Sequence, residues 1–412
     1  MWRPTAGLIL LVSGACGGGG VELITPPPSG AAPVTLILVP DPEDRATAQA
    51  LAWTAGIPDA VVTIRPVDSS AAPATYRSSP FGRVELAGQA PGDYLLEVQR
   101  WLSDAERGAL PARDDALGFV ARLVVRVSAA GGMDSVPVPA SRRRGLVISE
   151  WAFNVGAIPG IGAYPTGGFL ELYNNADTTV YLDGMVIAEG YNGAADVPGS
   201  RCADKVWATD DSLGIWSRFF QAFPGRGRDY PVGPGQAVVV ATDAIDHRPF
   251  FPGAIDLSAA DYEFSGGVDV DNPAAPNLRD IGLISYPDGH GLKYAGIAHV
   301  AVLALSVEPS DLPVYRPGST AAFARLPRSR IVDAVWIGGN YPGPSYQECP
   351  RLVHRVFDRA ASLARGTDEV AEYQFSLSRR PVGGSRSRTM LQHTRTGFAD
   401  FVRTARTPGV VP

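Results

Sequence analysis

Lysine is nearly absent from this chain: only Lys205 and Lys293 occur, and arginine supplies the rest of the 36 basic residues. We read that imbalance as genomic base composition, not as chemistry. Histidine is scarce as well, with five copies at positions 247, 290, 299, 354 and 393, and no two stand at metal-ligand spacing. No G-x-S-x-G elbow, H-E-x-x-H helix or Walker loop is present, so the common hydrolase and nucleotide-binding signatures are missing. The glycine strings at 17–20 and 159–168 lack the strand-to-helix context of a phosphate loop. The apolar run Gly7 to Val12 is far too short to span a bilayer. Cysteine occurs only at positions 16, 202 and 349.

Glycine and proline, by contrast, are plentiful, with 46 and 36 copies, which suits many short strands and turns. The first sixteen residues read as an export signal: Arg3, a short apolar segment, then Ser13-Gly14-Ala15 before Cys16. That ending resembles the lipobox of bacterial lipoproteins, which implies a lipidated Cys16 as the new N-terminus. Ser13 stands where Leu is usual. Residues 17–33, rich in Gly and Pro, form a flexible tether. With Cys16 lipidated, Cys202 and Cys349 are the two thiols left in an exported chain and are expected to form a disulfide. A thiol count on denatured, unreduced protein tests it, and two free thiols would refute the pairing.

Roughly 390 mature residues are too many for one core and predict two or three domains. In residues 34–140, Val34–Val39, Ala60–Pro66, Gly82–Leu86, Gly92–Val98 and Phe119–Val127 read as strands, and Ser103–Leu110 as a helical turn. The order AVVTI, FGRVEL, APGDYLLEV resembles the transthyretin-like or carboxypeptidase-regulatory-like module, a sandwich that implies a stalk or spacer. Residues 141–144, Ser-Arg-Arg-Arg, read as a solvated linker open to protease.

From residue 145 to 412 the pattern is again β. ISEW, FLELYN and VYLDG follow one another with turn residues between them, an order that resembles the lamin-tail domain, an immunoglobulin-like sandwich. Ser212–Ala222 reads as a short helix. Strands are expected at 236–241, 281–285, 299–305 and 331–337. Leu352–Leu363 has a helix-like pattern. The succession TDAIDH, IDLSAADYEF, DVDNPAAPNL between Pro234 and Leu278 resembles an uncharacterised family of bacterial outer-surface lipoproteins, domain-of-unknown-function family 4876. In that family Leu352–Leu363 corresponds to strands, and the family's Asp-Thr-Asn-Asn core is replaced here by His393-Thr394-Arg395-Thr396. The resemblance implies architecture and location more than activity.

The fold class expected is therefore all-β: a prealbumin-like sandwich followed by an elaborated lamin-tail-like sandwich with long loops. The expected role is a non-enzymatic binding or accessory module at the outer membrane, held by Cys16, with a protein partner such as an outer-membrane transporter. Its contact residues are sought in the long insertions, at Trp207, Trp216, Phe250 and Phe251, because aromatics join apolar area to a polar handle. No catalytic residue and no cofactor are assigned. Asp269, Asp271 and Asn272 are weak candidate calcium ligands, since the D-x-D-N loop offers oxygens but lacks EF-hand spacing. Two alternatives stand beside this reading. One is polyanion or polysaccharide binding by the C-terminal end, where fourteen Arg face seven acidic residues from Arg325 onward. The other is a hydrolase centred on His247 and the carboxylates around it. Nucleic acid is not an expected partner, because no aromatics interleave the basic residues.

Overall fold

The structure, a computed structural model, describes residues 34–67, 71–152, 155–158, 162–164, 167–190, 205–251, 253–265, 270–283, 299–316, 321–337, 352–359, 375–383 and 388–411. Cys16, Cys202, Cys349 and Asp269 lie outside the described residues, as does the expected tether.

The first sandwich packs a three-stranded sheet on a five-stranded one. The small sheet runs Arg83–Leu86, Val34–Pro40, Gly132–Val138, with the last pair parallel. The larger runs Ala74–Arg77, Val61–Pro66, Gly92–Trp101, Ala116–Val127, Ala140–Arg142. Alternation in the sequence is what selects the inward faces: Val62 and Ile64 on one strand, Val84 and Leu86 on another, are buried while their neighbours are not. Leu36, Leu38, Leu96, Val98 and Phe119 complete the core. Gly82 is required where it stands: its φ is +76°, and a Cβ there would lie 2.6 Å from the Leu38 carbonyl oxygen. The expected helical turn is the Asp104–Ala109 helix. Ser103 and Glu106 cap it reciprocally, each side chain bonding the other's backbone.

The second sandwich opposes a six-stranded and a seven-stranded sheet. The six-stranded order is Tyr262–Glu263, Ala237–Ala241, Phe169–Asn174, Leu146–Ala152, Phe375–Arg379, Phe401–Ala405. The other runs Val314–Tyr315, Phe323–Pro327, Gly214–Ala222, Val186–Gly190, His299–Ala304, Ile331–Ile337, with Arg279–Asp280 pairing on Gly214–Ala222. Ile148, Leu170, Leu172 and Val240 from one sheet meet Ile187, Leu303 and Val335 from the other. Each such side chain contributes about 1.5–3 kcal/mol by leaving water. A second apolar layer, with Val186, Val300, Val302, Leu326 and Phe357, covers the far face of the seven-stranded sheet. The all-β sandwich organisation expected from the sequence holds.

Several local expectations do not. Ser212–Ala222 is no helix: Gly214–Ala222 is a strand, paired on one side with Val186–Gly190 and on the other with Phe323–Pro327. Its Ile, Trp and Phe residues suit a pleated surface, and pairing overrides a weak helical pattern. Leu352–Arg359 forms neither helix nor strand. At 281–285, the described residues 281–283 carry no strand, and the pairing lies just before them at Arg279–Asp280.

The run expected as a solvated linker is partly structural. Ser141 is buried, and Ala140–Arg142 is a strand that pairs with Ala116–Val127. The Arg142 guanidinium lies 2.7 Å from both Asp44 and Asp114. With Asp115 at 3.5 Å, three aspartates near one cation in a half-buried setting hold it in place, which a sequence of consecutive arginines does not reveal. The two sandwiches are also fastened to each other. Trp101 and Leu117 of the first pack against Val382 and Met390 of the second. Arg122 donates to the Phe398 carbonyl and lies over that ring, while Glu97 holds both Arg122 and Arg380. Arg359 reaches Asp41 at 2.8 Å. The first sandwich is thus a packed neighbour of the second, with apolar and ionic contacts crossing between them.

Those ion pairs also account for much of the C-terminal arginine excess. Arg325, Arg359, Arg379, Arg380, Arg388 and Arg395 each face a carboxylate. The described part of this end is therefore not a continuous free basic surface.

Candidate functional site

The four nominated aromatic rings fall in two places. Phe250 and Phe251 sit with Tyr164 around His247. Phe251 is buried at 4% exposure, with its ring centroid 5.0 Å from that of Tyr164, so it is a core residue and not a contact residue. Phe250 remains 53% exposed.

His247 itself is fully buried and both ring nitrogens are engaged. The Tyr164 hydroxyl lies 2.7 Å from Nδ1, and Nε2 lies 2.9 Å from the Asp243 carbonyl oxygen. A carbonyl only accepts, so Nε2 carries the proton and Nδ1 accepts from the tyrosine. Burial holds the imidazole pKa below its ordinary value, outweighing the Asp243 carbonyl and the nearby carboxylates. The neighbouring carboxylates are not aimed at it either: Asp246 and Asp256 both bind Arg248, at 2.8 and 2.9 Å. The hydrolase alternative required His247 to converge with carboxylates in an open cavity, and the described residues do not provide that.

In the described part of the candidate calcium loop, the Asp271 and Asn272 side chains already have partners. Asp271 accepts from the Asn277 side chain, and Asn272 donates to the carbonyls of Ala244 and Ser258 while accepting from the Ala274 amide. Only the Ala274 contact is the local bond by which Asn builds a turn; the bonds to Ala244 and Ser258 tie Asn272 to other parts of the chain. No group of three or more His, Cys, Asp or Glu suited to a metal exists among the described residues.

Trp207 and Trp216 do come together, at the outer end of the seven-stranded sheet. Ile215 and Leu326 point into the apolar layer on one face of that sheet. Alternation then sends Trp216 to the other face, and strand pairing places Arg325 beside it and Phe323 opposite Tyr315. The short Val206–Thr209 helix lays Trp207 across this group. Its ring centroid is 4.4 Å from Tyr315, 5.4 Å from Trp216 and 5.6 Å from Phe323. Phe323, Ala208 and Ala321 are the buried base; Trp207 and Trp216 are half-buried, and Tyr315 is 39% exposed. Asp211 fixes the border, accepting from Trp216 Nε1 at 3.0 Å and from Arg325 at 3.2 Å. The Arg325 guanidinium lies 5.7 Å from the Trp216 ring centroid. Val206 and Leu213, on either side of Trp207 in the chain, are 50% and 64% exposed.

Sequence reading found the two tryptophans through their density in a long insertion. It missed Tyr315 and Phe323, because only strand pairing across about a hundred residues brings them there. The edge dipeptide Val314-Tyr315 in a Pro-flanked segment was the available signal.

Comparison with known proteins places this architecture. No curated protein matches the chain. A crystal structure of a DUF4876 family protein from Bacteroides thetaiotaomicron is similar over 92% of this chain and 95% of that one, with 19% identity and a TM-score of 0.50. A DUF3823 family protein from Bacteroides uniformis aligns over 75% of this chain and 99% of its own at 8% identity, with a TM-score of 0.16. Residues 233–304 match the model of a family described as "Protein of unknown function (DUF4876)". The resemblance read between Pro234 and Leu278 falls within the segment that the DUF4876 model matches, and the chain around it shares the fold of a DUF4876 family protein.

Proposed function

We propose that this protein is a non-enzymatic binding module of the bacterial outer membrane, lipid-anchored through Cys16, whose aromatic edge at Trp207, Trp216 and Tyr315 docks a protein partner. The observation that carries this reading is the incomplete burial of that ring cluster at the end of a sheet. Partly exposed tryptophan and tyrosine, fixed by an ion pair at the border, have the composition of an interface centre. Their tilt favours a protein over a sugar. Trp207 stands at 46° to Tyr315 and 75° to Trp216, so the rings present no flat platform for a pyranose face. Exposed Val206 and Leu213 extend the apolar character around them. The anchor reading rests on the export signal, Cys16 and the glycine run after it, and an outer-membrane transporter is the partner we expect.

Pull-down from detergent-solubilised outer membrane tests the docking reading. Trp207→Ala combined with Tyr315→Ala should lower partner affinity about 30-fold or more, the scale of losing an interface hot spot. Phe250→Ala, which removes an exposed ring outside this cluster, should change it little. Unchanged recovery by the double variant, with an unaltered urea midpoint, would refute the site.

A further inference from the structure

Two cavities lie among the described residues near the junction of the sandwiches, and their charges differ. The larger, about 460 Å³, carries Asp104, Asp114, Asp115 and Asp177 against Arg107, Arg143 and Arg388. Its charges close on one another: Arg107 pairs with Asp104, and both Arg143 and Arg388 pair with Asp177. The smaller, about 230 Å³, is lined by Arg144, Arg328, Arg395 and His393 over an apolar wall that includes Val332 and Phe357.

Asp333 is the one acidic residue lining this smaller cavity, and its charge is already met. Arg379 approaches it at 2.6 Å and His393 at 3.1 Å. Arg395 is held by Glu43 at 2.5 Å and by the Val356 carbonyl. That leaves Arg144 and Arg328. Both are exposed, and neither guanidinium makes a hydrogen bond or a close ion pair among the described residues. Glu43 feels the charge of Arg328, but shares itself with Arg395 and Arg359 at closer range. The two come from distant parts of the chain. Arg144 precedes the Leu146–Ala152 strand, and Arg328 begins the turn after the Phe323–Pro327 strand. Tertiary structure thus brings two unmatched cations to one concave, partly apolar place.

We infer that this cavity binds a small ligand bearing an oxyanion group, a phosphate, sulfate or carboxylate, gripped by Arg144 and Arg328. Planar guanidinium groups match such oxygens two at a time and stay charged at any relevant pH. The wall of Val332 and Phe357 suits a short apolar or sugar-sized body attached to the anion. The volume corresponds to roughly eight liquid waters at ~30 Å³ each, which is room for one group and a small body, not for a polymer chain. None of the aromatic-edge residues lines this cavity, so the two readings can fail independently.

The test is calorimetry on the full chain in neutral detergent and low salt, with inorganic phosphate, sulfate and citrate as separate probes. Wild type should bind at least one of them, and Arg144→Gln with Arg328→Gln should weaken that binding about tenfold or more. Both residues are exposed and without close partners, so the variant should keep the wild-type urea midpoint. Vesicles containing phosphatidylglycerol form a second arm. Binding there that the double variant loses, without binding of the free anions, assigns the oxyanion to a lipid headgroup. Binding by neither arm, or equal affinity in the double variant, overturns the inference.

Discussion

Arg379→Met should destabilise the second sandwich by about 3–5 kcal/mol, the usual effect of breaking a buried charge pair from one side. Arg379 is 1% exposed, the largest fully buried side chain among the described residues. Its guanidinium donates to the Ile148 carbonyl at 2.7 Å, to the Gln392 carbonyl at 3.1 Å and to Asp333 at 2.6 Å. Asp400 lies 3.4 Å away, and the Phe401 ring centroid 4.5 Å from the guanidinium carbon. This one side chain ties the Leu146–Ala152 strand, the Ile331–Ile337 strand and the 392–400 loop together. Methionine fills a similar space but leaves Asp333 a buried carboxylate without its cation. Burial pushes the Asp333 pKa up, yet Arg379 and His393 together hold it below the ordinary carboxylate value. Its contribution is therefore present above the unfolded carboxylate pKa and is lost as pH falls through the lower folded one. Urea denaturation measures the loss, and Asp333→Asn added to Arg379→Met should restore part of it. A single-variant loss below about 1 kcal/mol would refute the role assigned to Arg379.

Glu171→Gln should act in the opposite direction, raising stability by about 3 kcal/mol above pH 7 and leaving it nearly unchanged at acid pH. Glu171 is fully buried and stands directly opposite Glu150 in the paired strands. Burial raises its pKa from 4.5 to about 7, and the Glu150 charge adds to this against hydrogen bonds from Ser149 and Gly409. The folded state therefore holds a proton that the unfolded state has released between those two values. Stability falls as pH rises across that window, and the full penalty is present above it. Glutamine mimics the protonated form, with its oxygen toward the Gly409 amide and its NH₂ toward Ser149. The neighbouring Glu150 stays ligated by Thr407, whose amide and hydroxyl it accepts at 3.0 and 2.9 Å. The same two glutamates thus fasten the chain segment 407–409 across the sheet. Urea midpoints at pH 5 and pH 8 decide it: equal changes at both would show that the effect is not titration.

How much of this was legible beforehand varies with the range of the interaction. Val34–Pro40, Leu146–Ala152, Phe169–Asn174 and Ala237–Ala241 were each foreseen from alternation or an apolar run, which are properties of neighbouring residues. The helical turn at Ser103–Leu110 was local as well. Gly214–Ala222 was misread because its partners begin at Val186 and Phe323 and leave no mark on the segment itself. Arginine was the least legible residue. Arg142 reads as part of a solvated linker, and nothing near Arg142 or Arg379 in sequence announces Asp44, Asp114 or Asp333.

The site divides in the same way. Trp207 and Trp216 could be named from sequence because aromatic density in a long insertion needs a packing partner or a binding partner. Which of the two applies is a question of exposure, and the fold answered it differently for each nominated ring: half-buried for the tryptophans, open for Phe250, core for Phe251. His247 looked chemically promising beside its acids until tertiary hydrogen bonds occupied both nitrogens. By itself, then, the sequence determined the all-β class and many of the strands, because hydrophobic periodicity and turn chemistry act over a few residues. Only tertiary structure decided which charges meet, which rings stay at the surface, and where Arg144 and Arg328 converge, because those depend on pairings between residues far apart in the chain.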